Sequence, residues 1–319
     1  RWQRRRRQFK QQFKDLSKTA SPALFGAVAQ RLKKAQGSAT KSWKVAGTGE
    51  ADDPTRQTDA DWHDDRWQKM DVGPFLGGAI NAGPKKANKA IAVKLVGGKG
   101  GVCFDTEALR YSAGWTGGFL KMESRRYGLA IPPAADGKIQ FHTDRMPGWA
   151  KAGSFDDPRE KSRGSLPKDW AHYKGMYRHD QDVVFKYTVG DVLVHDSPSL
   201  LNYDGGASSY PGRLTGLGRS LKIGPSTTGL KVLIAELPKG FRRINSISHG
   251  RVKGEPTASL ATFSNGKQKI VCGVFGQRDV TVSAIENRWI TASIPAGKSD
   301  RTIQLTHWFP HAADLVSEP

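Results

Sequence analysis

Three kinds of side chain in this sequence could do chemistry: paired carboxylates, histidines, and aromatic rings beside polar groups. Asp105 and Glu107 lie two residues apart, so on a strand they would share one face. A glycosidase-like pair would need them about 5–10 Å apart across a cleft. Nothing in the sequence builds that cleft, and the plainer reading is a turn Asp and a surface Glu. His172 and His195 could act as ligands, or as hydrogen-bonded residues at a sheet rim. The chain has eight His but no GxSxG elbow to mark a nucleophile. Asp52, Asp53, Asp59, Asp61, Asp64 and Asp65 cluster around His63. They lack the alternating ligands, central Gly and distal Glu of a calcium loop, so they read as an acidic solvated linker rather than a metal site. Gly97-Gly98-Lys99-Gly100-Gly101 joins two strand-like runs. It lacks the Gly-Lys-Ser/Thr opening of a phosphate-binding helix and reads as a hairpin tip.

Aromatic residues offer the better binding chemistry. Trp115, Trp149, Trp170 and Tyr173 fall at strand ends or in a long loop, with His172 and Arg178 nearby. A sugar ring needs such a stacking surface with hydrogen-bonding groups around it. These six are the candidate ligand-binding residues, with interior packing as the alternative for the Trp rings. A second set is Arg4, Arg5, Arg6, Arg7, Lys10 and Lys14, around the apolar stripe of a helix near the N-terminus. The formal charge is +20, and residues 1–44 carry 13 Lys/Arg against the single acid Asp15. Such an arm suits an anionic membrane surface or an acidic protein. Nucleic acid is not the expected partner, because the rest of the chain has an ordinary charge mixture and no nucleic-acid-reading motif.

Cys103 and Cys272 sit in apolar, strand-like runs. Two buried thiols and one long-range disulfide in an oxidising compartment are both open readings. No CxxC or CxxCH occurs, which argues against covalent haem or structural zinc in this chain, so no cofactor is expected within it. No run of about 18 apolar residues marks a membrane-spanning helix. With no initiator Met, the expectation is a processed chain or a segment of a longer one.

The elements that would position these groups follow from periodicity. Over residues 1–36, Phe9, Phe13 and Leu16, then Phe25, Val28 and Leu32, repeat at helical spacing around a break at Ser21-Pro22, which predicts a basic amphipathic helical arm. Residues 37–66 are a polar, acidic linker. From residue 67 the pattern is β. The stretch 166–196 reads as a three-strand meander, with Trp170, His172, Lys174, Met176 and Arg178 on one face and Ala171, Tyr173, Gly175, Tyr177 and His179 on the other. Residues 124–169 and 197–214 read mostly as loops. Strand runs then recur roughly every eight to twelve residues to Phe309, with an Asn265-Gly266 hairpin signal between two of them. The prediction is a mainly β chain: an antiparallel, jelly-roll-like β-sandwich of roughly 16 strands in two sheets over 67–319, with two packed sub-domains dividing near 238 as a further option.

Several runs carry a resemblance: Trp67–Phe75, Ile91–Leu95, Val102–Asp105, Leu109–Phe119, Pro147–Ala150 and Leu166–Arg178. Together they resemble an uncharacterised domain that sits near the N-terminus of large exported proteins of planctomycetes and verrucomicrobia. Those proteins often continue into a sugar-dehydrogenase-like propeller and a c-type cytochrome domain. The likeness covers about residues 67–235. It implies an extracytoplasmic, periplasmic location and a cytochrome-containing or carbohydrate-oxidising assembly, with any haem on a partner subunit or segment. The expected function is therefore a non-catalytic module docking a partner subunit or a glycan. The alternatives are a carbohydrate-active hydrolase or lyase, and a binder of anionic surfaces through the basic arm. No catalytic residue is assigned.

Overall fold

The computed structural model describes residues 70–123, 131–204, 213–250 and 258–310. The expected helical arm and linker, with Arg4–Arg7, Lys10 and Lys14, lie outside the described residues, as does Trp67. The described residues form sixteen strands in three antiparallel sheets. β1 (Phe75–Ile80), β2 (Ala87–Leu95), β3 (Gly100–Asp105), β4 (Arg110–Lys121) and β5 (Ala134–His142) make a five-stranded meander. β6 (Ala171–His179), β7 (Asp182–Val189), β8 (Val192–Asp204) and β9 (Arg213–Ile223) continue as a second meander. This one is extended by β16 (Arg301–Pro310), β13 (Lys269–Phe275), β12 (Ala258–Ser264) and β11 (Arg242–Gly250) into an eight-stranded sheet. β10 (Leu230–Glu236), β15 (Trp289–Ile294) and β14 (Thr281–Ile285) form the third sheet.

The eight-stranded sheet is the spine of the molecule. β2 of the five-stranded sheet packs on β8, while β14 of the three-stranded sheet packs on β12 and β13. β10 touches β4, β5 and β16, closing the seam between the two smaller sheets. The mainly β, antiparallel expectation holds. Its jelly-roll detail does not: sequence neighbours pair within one sheet as meanders, whereas a jelly roll would alternate them between sheets. There are three sheets rather than two. β16 lies between β13 and β9, so strands from both sides of residue 238 share one sheet.

Alternation explains the core. Val183, Phe185, Tyr187 and Val189 on β7, and Val192 and Val194 on β8, point inward. They meet Phe104 and Tyr111 of the five-stranded sheet, where the Phe104 and Phe185 rings stack with centroids 4.1 Å apart. At the β12–β13 turn, the Asn265 side-chain oxygen accepts hydrogen bonds from the backbone N–H groups of Lys267 and Gln268, while Gly266 takes φ +87°, as the Asn-Gly signal requires.

Two local expectations fail for physical reasons. β8 runs on to Asp204 through a stretch expected to be loop. Beyond Asp196 it pairs, among the described residues, only with β9, and a strand tolerates Pro198 on such a one-sided stretch. β6 carries a bulge between Tyr173 and Gly175, with Gly175 at φ +137°. The bulge reverses the alternation, so Met176 packs on the core together with Tyr173 rather than sharing a face with His172.

Residues 143–169, the described part of the expected 124–169 loop beyond β5, hold the sheets together as a staple. Gly148 donates to Ala108 O at 2.7 Å, and its carbonyl accepts from Leu233 N–H. Ala150 N–H donates to Lys231 O, so residues 148–150 pair along the edge of β10. A Cβ on Gly148 would stand 2.0 Å from Leu109 O, so only glycine fits this crossing.

Candidate functional site

The six predicted ligand-binding residues do not assemble into one site. Trp115 and Trp149 are 0% exposed and Trp170 is buried. Each indole N–H is spent inside: Trp115 donates to Phe119 O, Trp149 to the Tyr187 hydroxyl at 3.2 Å, and Trp170 to Trp149 O at 2.8 Å. With no ring face open to solvent, none of the three can stack on a sugar, which corrects that expectation. Tyr173 is half-buried against the core, its ring 6.4 Å from that of Phe104. His172 faces outward, and Arg178 is exposed near the end of β6.

The paired-carboxylate candidate dissolves in the same way. Asp105 Oδ1 accepts from the backbone N–H groups of Glu107 and Ala108, and Oδ2 accepts from Arg110 Nη2 at 3.1 Å. Glu107 pairs with Lys89. Cys103 and Cys272 are separate, buried free thiols, and burial pushes the Cys103 thiol up to about 12. Among the described residues, no three His, Cys, Asp or Glu gather as metal ligands would.

A polar knot that the sequence reading missed lies at the centre of the molecule. Asp196 on β8 is 0% exposed. It receives Arg219 Nη2 of β9 at 2.7 Å, the Tyr187 hydroxyl of β7 at 2.9 Å and the Tyr111 hydroxyl of β4 at 3.1 Å. Arg219 also donates to Leu233 O of β10 and lies 4.5 Å over the Tyr111 ring. Burial, reinforced by the Asp196 charge, raises both phenols well above the usual tyrosine range. The knot therefore ties all three sheets together with every charge paired. The adjoining cavity, lined by Tyr111, Arg219 and His307, is about 20 Å³. That is room for a single water and too small for a substrate. Alternation did carry a signal here: Asp196 follows Val192 and Val194 on the inward face, and Arg219 sits between Leu217 and Leu221.

A second polar cluster clamps the seam of the two smaller sheets. Arg288 bridges Asp144 at 2.9 Å and Glu236 at 3.2 Å, and Lys85 reaches Asp144 at 2.6 Å. The Lys85 hydrogen bond outweighs partial burial and holds the Asp144 carboxyl below the usual range, making it a poor proton donor near neutral pH.

The outward face of β7–β8–β9 is different in kind. Phe185 and Tyr187 point inward, so Lys186 points out; the same argument turns out His195, between Val194 and Asp196, and Lys222, between Leu221 and Ile223. Register places Lys186 opposite His195 and His195 opposite Lys222, so the three form one cross-strand row. Neighbouring strands stand about 4.8 Å apart, and like charges directly opposite one another repel. Among the described residues only Asp300 answers the row, pairing with Lys222 at 3.1 Å. Tyr177, half exposed, sets its ring edge-on to His195 at 6.1 Å. Ser220, opposite Ser197 in the register, places a hydroxyl beside the row, while the Ser197 hydroxyl donates to Val183 O at 3.1 Å. Burial, then Lys186 and Lys222, lower the His195 pKa. The arrangement is a basic, partly aromatic surface with the Ser220 hydroxyl at its edge, suited to holding an anion.

A comparison with curated proteins returns no match. Residues 102–196 match the model of a domain of unknown function, DUF6797. The matched segment runs from within β3 to Asp196 on β8. It spans Tyr111, Tyr187 and Asp196 of the knot and Lys186 and His195 of the row, and it falls inside the 67–235 span over which the chain resembles an uncharacterised domain.

Proposed function

We propose that this chain is a non-catalytic binding and assembly module that docks an acidic partner surface on the outward face of β6–β9. The Lys186–His195–Lys222 row supports this reading most directly. The acidic and aromatic groups of the interior are committed to one another, whereas this row presents three basic side chains with, among the described residues, one carboxylate between them. An acidic protein surface supplies the missing charge and steers association. The resemblance to exported planctomycete and verrucomicrobial proteins supports a c-type cytochrome as that partner, in an extracytoplasmic redox assembly, with the haem on the partner rather than on this chain. The basic residues Arg4–Arg7, Lys10 and Lys14 add a second anion-seeking segment, suited to an acidic membrane surface.

The test is capture of a haem protein from the native membrane fraction by the full chain, read by its c-type absorbance. Wild type retains it at low salt and releases it as ionic strength rises. Lys186→Glu with Lys222→Glu loses it while melting as wild type does. Retention by the double variant equal to wild type, or indifference to salt, overturns the proposal. The buried Trp115, Trp149 and Trp170 remove the main support for the glycan-binding alternative.

A further inference from the structure

The outward face of the three-stranded sheet carries a groove of about 320 Å³, remote in kind from the knot and from the basic row. That volume lies in the range of small-molecule sites. Its floor is a cross-strand row of polar residues: Lys231 of β10 opposite Ser293 of β15, which stands opposite Thr281 of β14. Asp279, just before β14, lines one side, its Oδ2 held by Arg301 Nη1 at 2.7 Å. Leu230 and Pro295 supply apolar surface, and Gly153, at φ +85°, brings the turn after Ala150 up as a wall.

The charges decide what fits. Among the described residues, Lys231 makes no ion pair, although its side chain is half-buried. A partly desolvated ammonium of this kind gains from an incoming carboxylate. Asp279 is already neutralised by Arg301, so it serves as an oriented acceptor rather than as a site for a cation. Ser293 and Thr281 each offer a donor and an acceptor. An uncharged polyol would leave Lys231 unanswered. A simple carboxylate would leave Asp279 and both hydroxyls unanswered. A phosphate monoester dianion carries no hydroxyl and would leave the Asp279 acceptor without a donor.

We propose that this groove binds a small polyhydroxylated carboxylate of the sugar-acid class, its carboxylate on Lys231 and its hydroxyls on Asp279, Ser293 and Thr281. The test is titration calorimetry of the full chain with D-glucuronate, D-glucose and acetate as probes. Glucuronate binds, and glucose and acetate each bind at least about tenfold more weakly, the scale of one charge-assisted hydrogen bond. Lys231→Met lowers glucuronate affinity about tenfold or more and abolishes the preference over glucose, while Ser293→Ala costs a few-fold. Should Lys231→Met fail to fold, Lys231→Gln carries the same prediction. Lys186→Glu with Lys222→Glu leaves glucuronate binding unchanged, which separates failure at the groove from failure of the docking face. Absence of glucuronate binding to wild type at about 20 mM ligand, equal binding of acetate, or undiminished affinity after loss of the Lys231 charge overturns the assignment.

Discussion

His307 on β16 makes the stability of this sandwich depend on pH in a way one substitution can isolate. Its ring is buried 5.2 Å from that of Phe141, opposite Cys272 in the register, and it lines the small cavity that Arg219 also lines. Burial pushes its pKa from 6.5 down to about 3, because a charged imidazolium would lose its hydration there. The native state therefore keeps His307 neutral, while the unfolded chain takes up a proton below about pH 6.5. The unfolded state then binds more protons, so stability rises with pH; the contribution is whole above about 6.5 and is lost as pH falls towards about 3. Each pH unit inside that window costs about 1.4 kcal/mol, so moving from about pH 6.5 to about pH 4.5 removes about 2–3 kcal/mol. Carboxylates add their own acid slope, so the informative quantity is the difference between wild type and His307→Leu. Urea unfolding followed by tryptophan fluorescence at about pH 7 and about pH 4.5 gives that difference. A leucine side chain takes up no proton in either state, so the variant gains about 2–3 kcal/mol relative to wild type on acidification, whatever its stability at neutral pH. A gap between the two proteins that stays constant with pH refutes the reasoning.

Arg219→Met strands the fully buried Asp196 and destabilises the fold by about 3–5 kcal/mol, whereas Asp196→Leu combined with Arg219→Met costs clearly less than the two single changes summed, as double-mutant denaturation will show. Gly148→Ala forces a Cβ against Leu109 O, which is backbone and cannot swing away, so soluble yield collapses or the melting temperature drops by several degrees. For the docking face, a bound anion offsets the Lys186 and Lys222 charges that oppose protonation of His195, so partner affinity rises as pH falls from about 7 to about 5; binding isotherms at constant ionic strength should show this, and His195→Gln should flatten it.

The strand pattern was legible because alternation is a local property: every strand from β10 to β16 stands within a few residues of its apolar run, and the Asn265-Gly266 turn carries its own chemistry. Reading failed where structure depends on a distant neighbour. Ser197-Pro198-Ser199 looks like a turn until β9 is known to pair with one side of it. The inversion of faces along β6 hangs on a bulge at Lys174, and Gly175 was its one written sign. The three Trp residues offer rich binding chemistry by type, yet Trp149 and Trp170 are buried by a staple, residues 148–150, whose partner β10 lies some eighty residues further on, and Trp115 is buried among Ile80, Ala92 and Cys103 of the neighbouring strands. Asp196 and Arg219 could have been paired from their inward positions alone, since a charge on a core face must find a counter-charge. The basic row could not, because it exists only once the register of β7, β8 and β9 is fixed.

The knot and the row obey opposite logic, and stability measurements can tell them apart. Inside, each charge is paired, so removing one partner lowers stability. On the outward face, Lys186 faces the half-buried His195 and, one strand further, Lys222, which among the described residues has Asp300 as its one counter-charge. Repulsion between Lys186 and Lys222, two strands apart, weakens the sheet by no more than about a few tenths of a kcal/mol. Lys186→Ala should therefore leave the melting temperature unchanged or raise it, even as it weakens partner capture. A row retained only for packing through the lysine stem would behave in reverse, losing stability on truncation while sparing binding. Opposite signs in the two assays would mark Lys186 as a residue that serves a partner rather than the fold. Equal losses in both would return the row to the structure and leave the docking face without its anchor.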